Sequence, residues 1–359
     1  MDDTTRTTIE QASTALGEPL TVIGAPLPTS DRNQVIRAQA RGRTVIVKRN
    51  LTQDPFASGR ESSALLALNS IDPGCAPRVL AEGDGLLVLE DLGDGGNVAD
   101  ALTGEDAAAA EAAVRAWAAG LGRFHVAGRA AASLFEDEMM RRTGTSSAYM
   151  DAQLEEAAAA WVGLAADLGV HTERSTFDDL ASLTTRFRTD LSTLSAGDMC
   201  PDNNLLVDGR VVMIDLEFAT IRHLAWDVAY LQVPWPSCWC AWTLPDGLTR
   251  AALAAWQASA ASLLGDIAAD DLRHDLRLAA DGWRWLSSYW LLEQLAGPPR
   301  PARPERPSPR HQDRIVHSLR AAATSPLLPS LREVAADLAA AVEQRFNAQP
   351  LGYPRALAK

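Results

Sequence analysis

The stretch Ala196-Gly197-Asp198-Met199-Cys200-Pro201-Asp202-Asn203-Asn204, followed by Met213-Ile214-Asp215-Leu216-Glu217, decides how this chain is read. Asn203 stands five positions after Asp198, and the segments 204–207 and 211–215 flank Asp208-Gly209 in the pattern of a tight hairpin. A hydroxyl that attacks the terminal phosphorus of a triphosphate needs a carboxylate to orient it and take its proton, and the triphosphate needs a hard cation held by oxygens. Asp198 fits the first role, and Asn203 and Asp215 fit the second as ligands of Mg2+. Taken alone, Asp-x4-Asn is also ordinary turn chemistry, because Asp and Asn favour loops. Three polar groups in order at strand ends are hard to obtain from turns.

Upstream, β-branched runs at residues 20–23, 34–40 and 44–48, and further runs at 78–82 and 86–90, predict five strands, with a helix over 60–68 between the third and fourth. Lys48 ends the apolar run Thr44-Val45-Ile46-Val47, and Glu61 follows 13 residues later on the predicted helix. A strand lysine held by a helix glutamate aims an ammonium at phosphates. A solvated lysine and a first-turn carboxylate favoured by the helix dipole are the plainer alternatives. The segment 24–33 lies where a phosphate-covering loop belongs and lacks G-x-G-x-x-G. There the hydroxyls of Thr29 and Ser30 and the backbone N–H groups are the candidate phosphate contacts. Glu90-Asp91-Leu92 stands where backbone groups of Glu90 and Leu92 would read an adenine.

From residue 107 onward alanine, leucine and tryptophan recur at helical spacing, predicting helices over 107–129, 148–168 and 177–194 and again from Trp226 to the end. The segment 297–310, rich in Pro and Arg, reads as an exposed loop. The chain has 359 residues, 47% of them hydrophobic, and a formal net charge of −13, which repels nucleic acid and anionic membrane surfaces and suits a cationic small molecule. Its four cysteines form no CxxC pair and are expected to be reduced, in a cytoplasmic protein with neither a signal peptide nor a membrane span. The sequence carries no signal for an oligomeric state.

With Asn33-Gln34-Val35-Ile36-Arg37, Leu121-Gly122-Arg123-Phe124-His125 and Trp226-Asp227-Val228-Ala229-Tyr230-Leu231 added to these motifs, the chain resembles the aminoglycoside phosphotransferase and choline kinase-like superfamily over roughly residues 20–231. The resemblance implies a bilobed, protein-kinase-like α+β fold. A small N-terminal lobe over residues 1–93 has a five-stranded antiparallel sheet and one helix, and a mostly helical C-terminal lobe spans 94–359. It implies ATP between the lobes and Mg2+-dependent transfer to a small-molecule hydroxyl, with Asp227 bracing the catalytic loop. Ala196 stands where the family usually has His.

Only 12 residues separate Asp215 from Asp227, too few for a long activation loop, so a small-molecule acceptor is favoured over a peptide. Glu217 is a candidate second metal or substrate carboxylate, or else solvent-facing, and Asp246 and Glu293 are candidate acceptor carboxylates. Eight of the ten tryptophans follow residue 225 and are expected mainly in a helical core, with an aromatic acceptor pocket as the alternative. The competing reading of the whole chain is a nucleotide-binding pseudokinase that acts as a binding module.

Overall fold

The computed structural model describes residues 2–29, 32–52, 55–147, 150–296 and 308–358. Helix α1 (Asp3–Leu16) precedes strands β1 (Thr21–Val22), β2 (Asn33–Ala40) and β3 (Arg43–Asn50); helix α2 (Pro55–Ile71) precedes β4 (Val79–Gly83) and β5 (Leu86–Glu90). These strands form one antiparallel sheet in the order β1-β2-β3-β5-β4. Successive side chains of a strand point to opposite faces. Val45, Val47 and Val88 therefore pack under α1 with Ile9, Ala12 and Ile36, whereas Leu87 and Leu89 join the core around α2. Lys48, one residue past Val47, falls on that second face.

Helix α1 is an addition to the predicted lobe. Its sequence is rich in Thr, a weak helix former, so propensity hides it. Asp2 caps it by accepting from the Thr5 N–H at 2.7 Å, and burial of Ile9 and Ala12 against the sheet holds it.

The remainder is mostly helical: α3 (Val98–Thr103), α4 (Ala107–Thr143), α5 (Met150–Asp167), α6 (Asp178–Ala181), α7 (Ala225–Val228), α8 (Asp246–Ser259), α9 (Ala261–Leu264), α10 (Ala269–Ala296), α11 (His311–Ala323) and α12 (Arg332–Phe346). The helix predicted over 107–129 runs on to Thr143, between an Asp106 cap and Gly144 at φ 71°. The helix predicted over 177–194 is corrected. Short 3-10 and α turns occupy 174–191, and Ser192–Ser195 is strand β6, paired with β9 (Thr220–His223). The Thr and Ser residues of that segment are weak helix formers, and β9 offers a partner strand. The predicted hairpin is present as β7 (Asn204–Val207) and β8 (Arg210–Met213), turning at Asp208 (φ 48°) and Gly209 (φ 73°).

Trp117, Trp161, Trp226, Trp235, Trp256 and Trp285 are fully buried, so the tryptophan-rich region is mainly core. Among the described residues, no helix is long and apolar enough to cross a membrane. Residues 297–307, most of the segment read as a loop, lie outside the described residues.

Candidate active site

Between the sheet and the helical part lies a cavity of about 560 Å³ whose walls include Lys48, Glu61, Glu90, Leu92, Asp198, Asn203 and Asp215. The sequence separates these groups by up to 167 residues, and folding brings them to one space. Lys48 Nζ lies 2.7 Å from Glu61 and 2.5 Å from Asp215 Oδ1. Burial alone would lower the Lys48 pKa, but the charges of Asp215 and Glu61 outweigh it and hold it above its usual value. Glu61 is 5% exposed, so its partner is a buried cation and not solvent.

Asn203 and Asp215 are set by backbone constraints. Ile214 N–H donates to the Asn203 carbonyl at 2.9 Å, which holds the end of the hairpin against the loop ahead of it. Asp215 follows directly with φ 63°, a left-handed conformation that a non-glycine residue adopts at a cost of about 1–3 kcal/mol. The donor set, one carboxylate and one amide oxygen, is hard and fits Mg2+.

Asp198 projects from the loop after β6. Its Oδ1 accepts the Cys200 N–H at 3.1 Å and the Ser237 hydroxyl at 2.7 Å. Burial pushes its carboxyl up to about 6, with the Ser237 hydrogen bond opposing. Gly197, ahead of it, has φ 79°, and a Cβ there would stand 2.0 Å from the Phe218 carbonyl, so only glycine fits.

Beneath the loop is a buried network. Asp227 Oδ1 accepts from Ser195 Oγ at 2.6 Å and Arg222 Nη2 at 2.5 Å, and Arg222 Nη2 also donates to the Gly197 carbonyl at 3.0 Å. Burial alone would raise the Asp227 pKa, but the Arg222 charge and the His125 and Ser195 hydrogen bonds hold it down at about 2. Trp256 Nε1, a donor only, gives its hydrogen to His125 Nδ1 at 3.1 Å, so Nε2 carries the ring proton and donates it to Asp227 Oδ2 at 3.1 Å. Ala196, in place of the family's histidine, is buried, and Arg222 supplies polar support from beside it.

Several expectations are revised. Glu217 does not line the cavity and is not solvent-facing: it is 4% exposed, and its oxygens accept from Arg32 at 2.6 Å and Asn33 at 2.9 Å, tying the start of β2 to the segment after Asp215. Asp246 stands at the N-terminus of α8, where the helix dipole favours an acid, and does not line the cavity. Glu293 likewise lies away from it, exposed near the end of α10 and beside Tyr289. Ser30 lies outside the described residues. The Glu90 side chain is held by the N–H and Nε of Arg78, at 2.9 and 2.8 Å. Of the late tryptophans, Trp239 lines the cavity.

The expectation of four reduced cysteines is also corrected. Cys200 and Cys238 form a disulfide across 38 residues, while Cys75 and Cys240 are free and buried. Spacing along the chain could not reveal the pair, because the loop from Val233 to Ala241 folds back onto the loop that carries Asp198. A bridge over 38 residues stabilises by about 4 kcal/mol in the chain-entropy account. The thermal midpoint is therefore expected to fall by several degrees in dithiothreitol, and Cys238→Ser to have the lower midpoint without reductant. Equal midpoints would show that the bridge adds nothing.

Sheet, helices and cleft together define a bilobed protein-kinase-like fold. Residues 25–261 match the Phosphotransferase enzyme family, and the chain belongs to that family. A choline/ethanolamine kinase family protein from Mesorhizobium loti superposes with a TM-score of 0.55 and 14% identity, over 92% of this chain and 99% of the other. Ethanolamine kinase from Plasmodium vivax gives a TM-score of 0.52 and 12% identity, over 83% and 81%. The streptomycin-ATP-APH(2")-IIa ternary complex gives 0.53 and 12%, over 91% and 97%. At such identities these likenesses establish the fold. No curated protein matches the sequence.

Proposed function

We propose that the chain is an ATP- and Mg2+-dependent phosphotransferase that moves the γ-phosphoryl group to a hydroxyl of a small molecule, in the class of amino sugars and amino alcohols. The observation that carries this reading is Lys48, bonded to both Glu61 and Asp215 in the wall of the cavity that Asp198 and Asn203 also line. Family membership supports phosphoryl transfer, and the relatives named for ethanolamine and for streptomycin with ATP support a small acceptor and this nucleotide.

Residues 1–93 act as the nucleotide-binding lobe and residues 94–359 carry the catalytic loop and the acceptor side. Backbone groups of Glu90 and Leu92 read the adenine, and Lys48, aimed by Glu61, holds the α- and β-phosphates. Asn203 and Asp215 hold the Mg2+, which when bound neutralises charge on the phosphates. Asp198 orients the acceptor hydroxyl and takes its proton. The hydroxyl oxygen bonds to the γ-phosphorus, the bond to the β-phosphate bridging oxygen breaks, and ADP leaves.

The test is a panel of amino sugars, amino alcohols and sugars with MgATP, read by mass spectrometry for a gain of one phosphate. One phosphorylated product is expected, together with a thermal midpoint that rises more with MgATP than with ATP alone. No product, and nucleotide binding indifferent to Mg2+, would overturn the proposal and leave a nucleotide-binding module.

A further inference from the structure

Ser237 lies in the loop between α7 and α8, and no feature of the phosphoryl-transfer motif points to it. Its hydroxyl donates to Asp198 Oδ1 at 2.7 Å, and the Cys200 N–H donates to the same oxygen at 3.1 Å. No hydrogen bond reaches Asp198 Oδ2 among the described residues. The two oxygens of one carboxylate are thereby made unlike, one saturated and the other open. The Ser237 proton is committed to Asp198, so the buried Tyr230 hydroxyl, 3.1 Å away, is the donor to Ser237 Oγ. A directed chain runs Tyr230 to Ser237 to Asp198.

We propose that Ser237 is a positioning residue for phosphoryl transfer: it holds the Asp198 carboxylate in the orientation in which Oδ2, and not Oδ1, receives the acceptor's proton. The inference rests on the reading of Asp198 as the base.

The loop around Ser237 is tied residue by residue. Buried Arg314 donates to the carbonyls of Trp235 and Pro236 at 3.0 and 3.1 Å, from α11 on the far side. Cys238 is bonded to Cys200, two residues past Asp198. Trp239 Nε1 donates to Asp202 Oδ2 at 2.7 Å. Five consecutive residues are thus anchored, three of them to the catalytic loop itself. A serine placed by a covalent link on one side and a buried guanidinium on the other cannot drift from its acceptor. A side-chain carboxylate freed of one of two donors rotates about its terminal torsion at little cost. Small misplacements of a reacting group cost up to about 100-fold in rate.

The test compares ADP release from MgATP, with water and with any acceptor the panel yields, for the wild type and four variants. Ser237→Ala is expected to lower kcat about 10- to 100-fold with KM for ATP unchanged. Ser237→Thr, which keeps the hydroxyl, is expected to recover most of that loss. In the Asp198→Asn background, adding Ser237→Ala is expected to cost nothing more. A kcat for Ser237→Ala within about twofold of wild type, a Thr variant as slow as Ala, or an additive loss in the double variant overturns the inference. Turnover retained by Asp198→Asn alone overturns instead the reading of the base. A crystal structure of Ser237→Ala needs no acceptor. There the Asp198 carboxylate is expected to occupy more than one orientation about its terminal torsion, and a single unchanged rotamer overturns the inference even if no turnover is found.

Discussion

Asp198→Asn is expected to lower turnover by roughly 10²–10⁴-fold, the usual contribution of a positioned base, while nucleotide affinity stays within a few fold. The reason is local: Asn keeps the shape and still accepts from Ser237 and Cys200, but it takes no proton. The wild-type pH profile carries the same signature. Burial holds the carboxyl at about 6, so kcat should rise as pH climbs through about 6 and level off above it, as the base becomes ionised. The stability effect has the opposite sign. A carboxyl whose native pKa lies above its unfolded value of 3.8 binds its proton more tightly when folded, so its ionisation costs stability as pH rises from about 4 to about 6. Asp198→Asn should therefore be as stable as the wild type or more so at pH 7. Lower stability would point to a structural role, and kcat independent of pH between 5 and 8 would remove Asp198 as the titrating base.

The second large effect is expected at Asp227. Asp227→Ala leaves the Arg222 guanidinium, whose side chain is 4% exposed, without its counter-charge, and breaking a buried pair in this way costs about 3–5 kcal/mol. That is a large share of the 5–15 kcal/mol by which native proteins are typically stable. It also removes the acceptor of Ser195 and His125 and loosens the hold of Arg222 on the Gly197 carbonyl, so turnover should fall with stability. Urea unfolding at pH 7 measures the first effect and ADP release the second. Native Asp227 titrates at about 2, below its unfolded value of 3.8, so its contribution is complete above about pH 4 and lost as pH falls towards 2. A variant as stable as the wild type would mean that water solvates Arg222 at no cost.

Much of this site was legible along the chain. Strand positions followed from β-branched runs and the hairpin from Asp208-Gly209, each of which depends on a few neighbouring residues; the pairing of Lys48 with Glu61 was read from an order and spacing that match phosphoryl-transfer sites. Asp198, Asn203 and Asp215 stood out because they sit at the ends of such elements, where polar side chains face a cleft and not a core. Other features left no local trace. Helix α1 is rich in Thr, a weak helix former, and is held by burial of Ile9 and Ala12 against the sheet. Glu217 is taken by Arg32 and Asn33, 185 and 184 residues away, and Ser237 reaches Asp198 across 39.

Side-chain periodicity and turn chemistry by themselves determined the strands of the sheet and the hairpin at Asp208-Gly209, because those depend on backbone preferences spanning a few residues. Only the tertiary structure decided which carboxylate oxygen stays open, that Cys200 meets Cys238, and that Glu217 joins the two lobes. Such contacts depend on where distant loops come to rest when helices and sheet pack, and no short window of sequence contains that position.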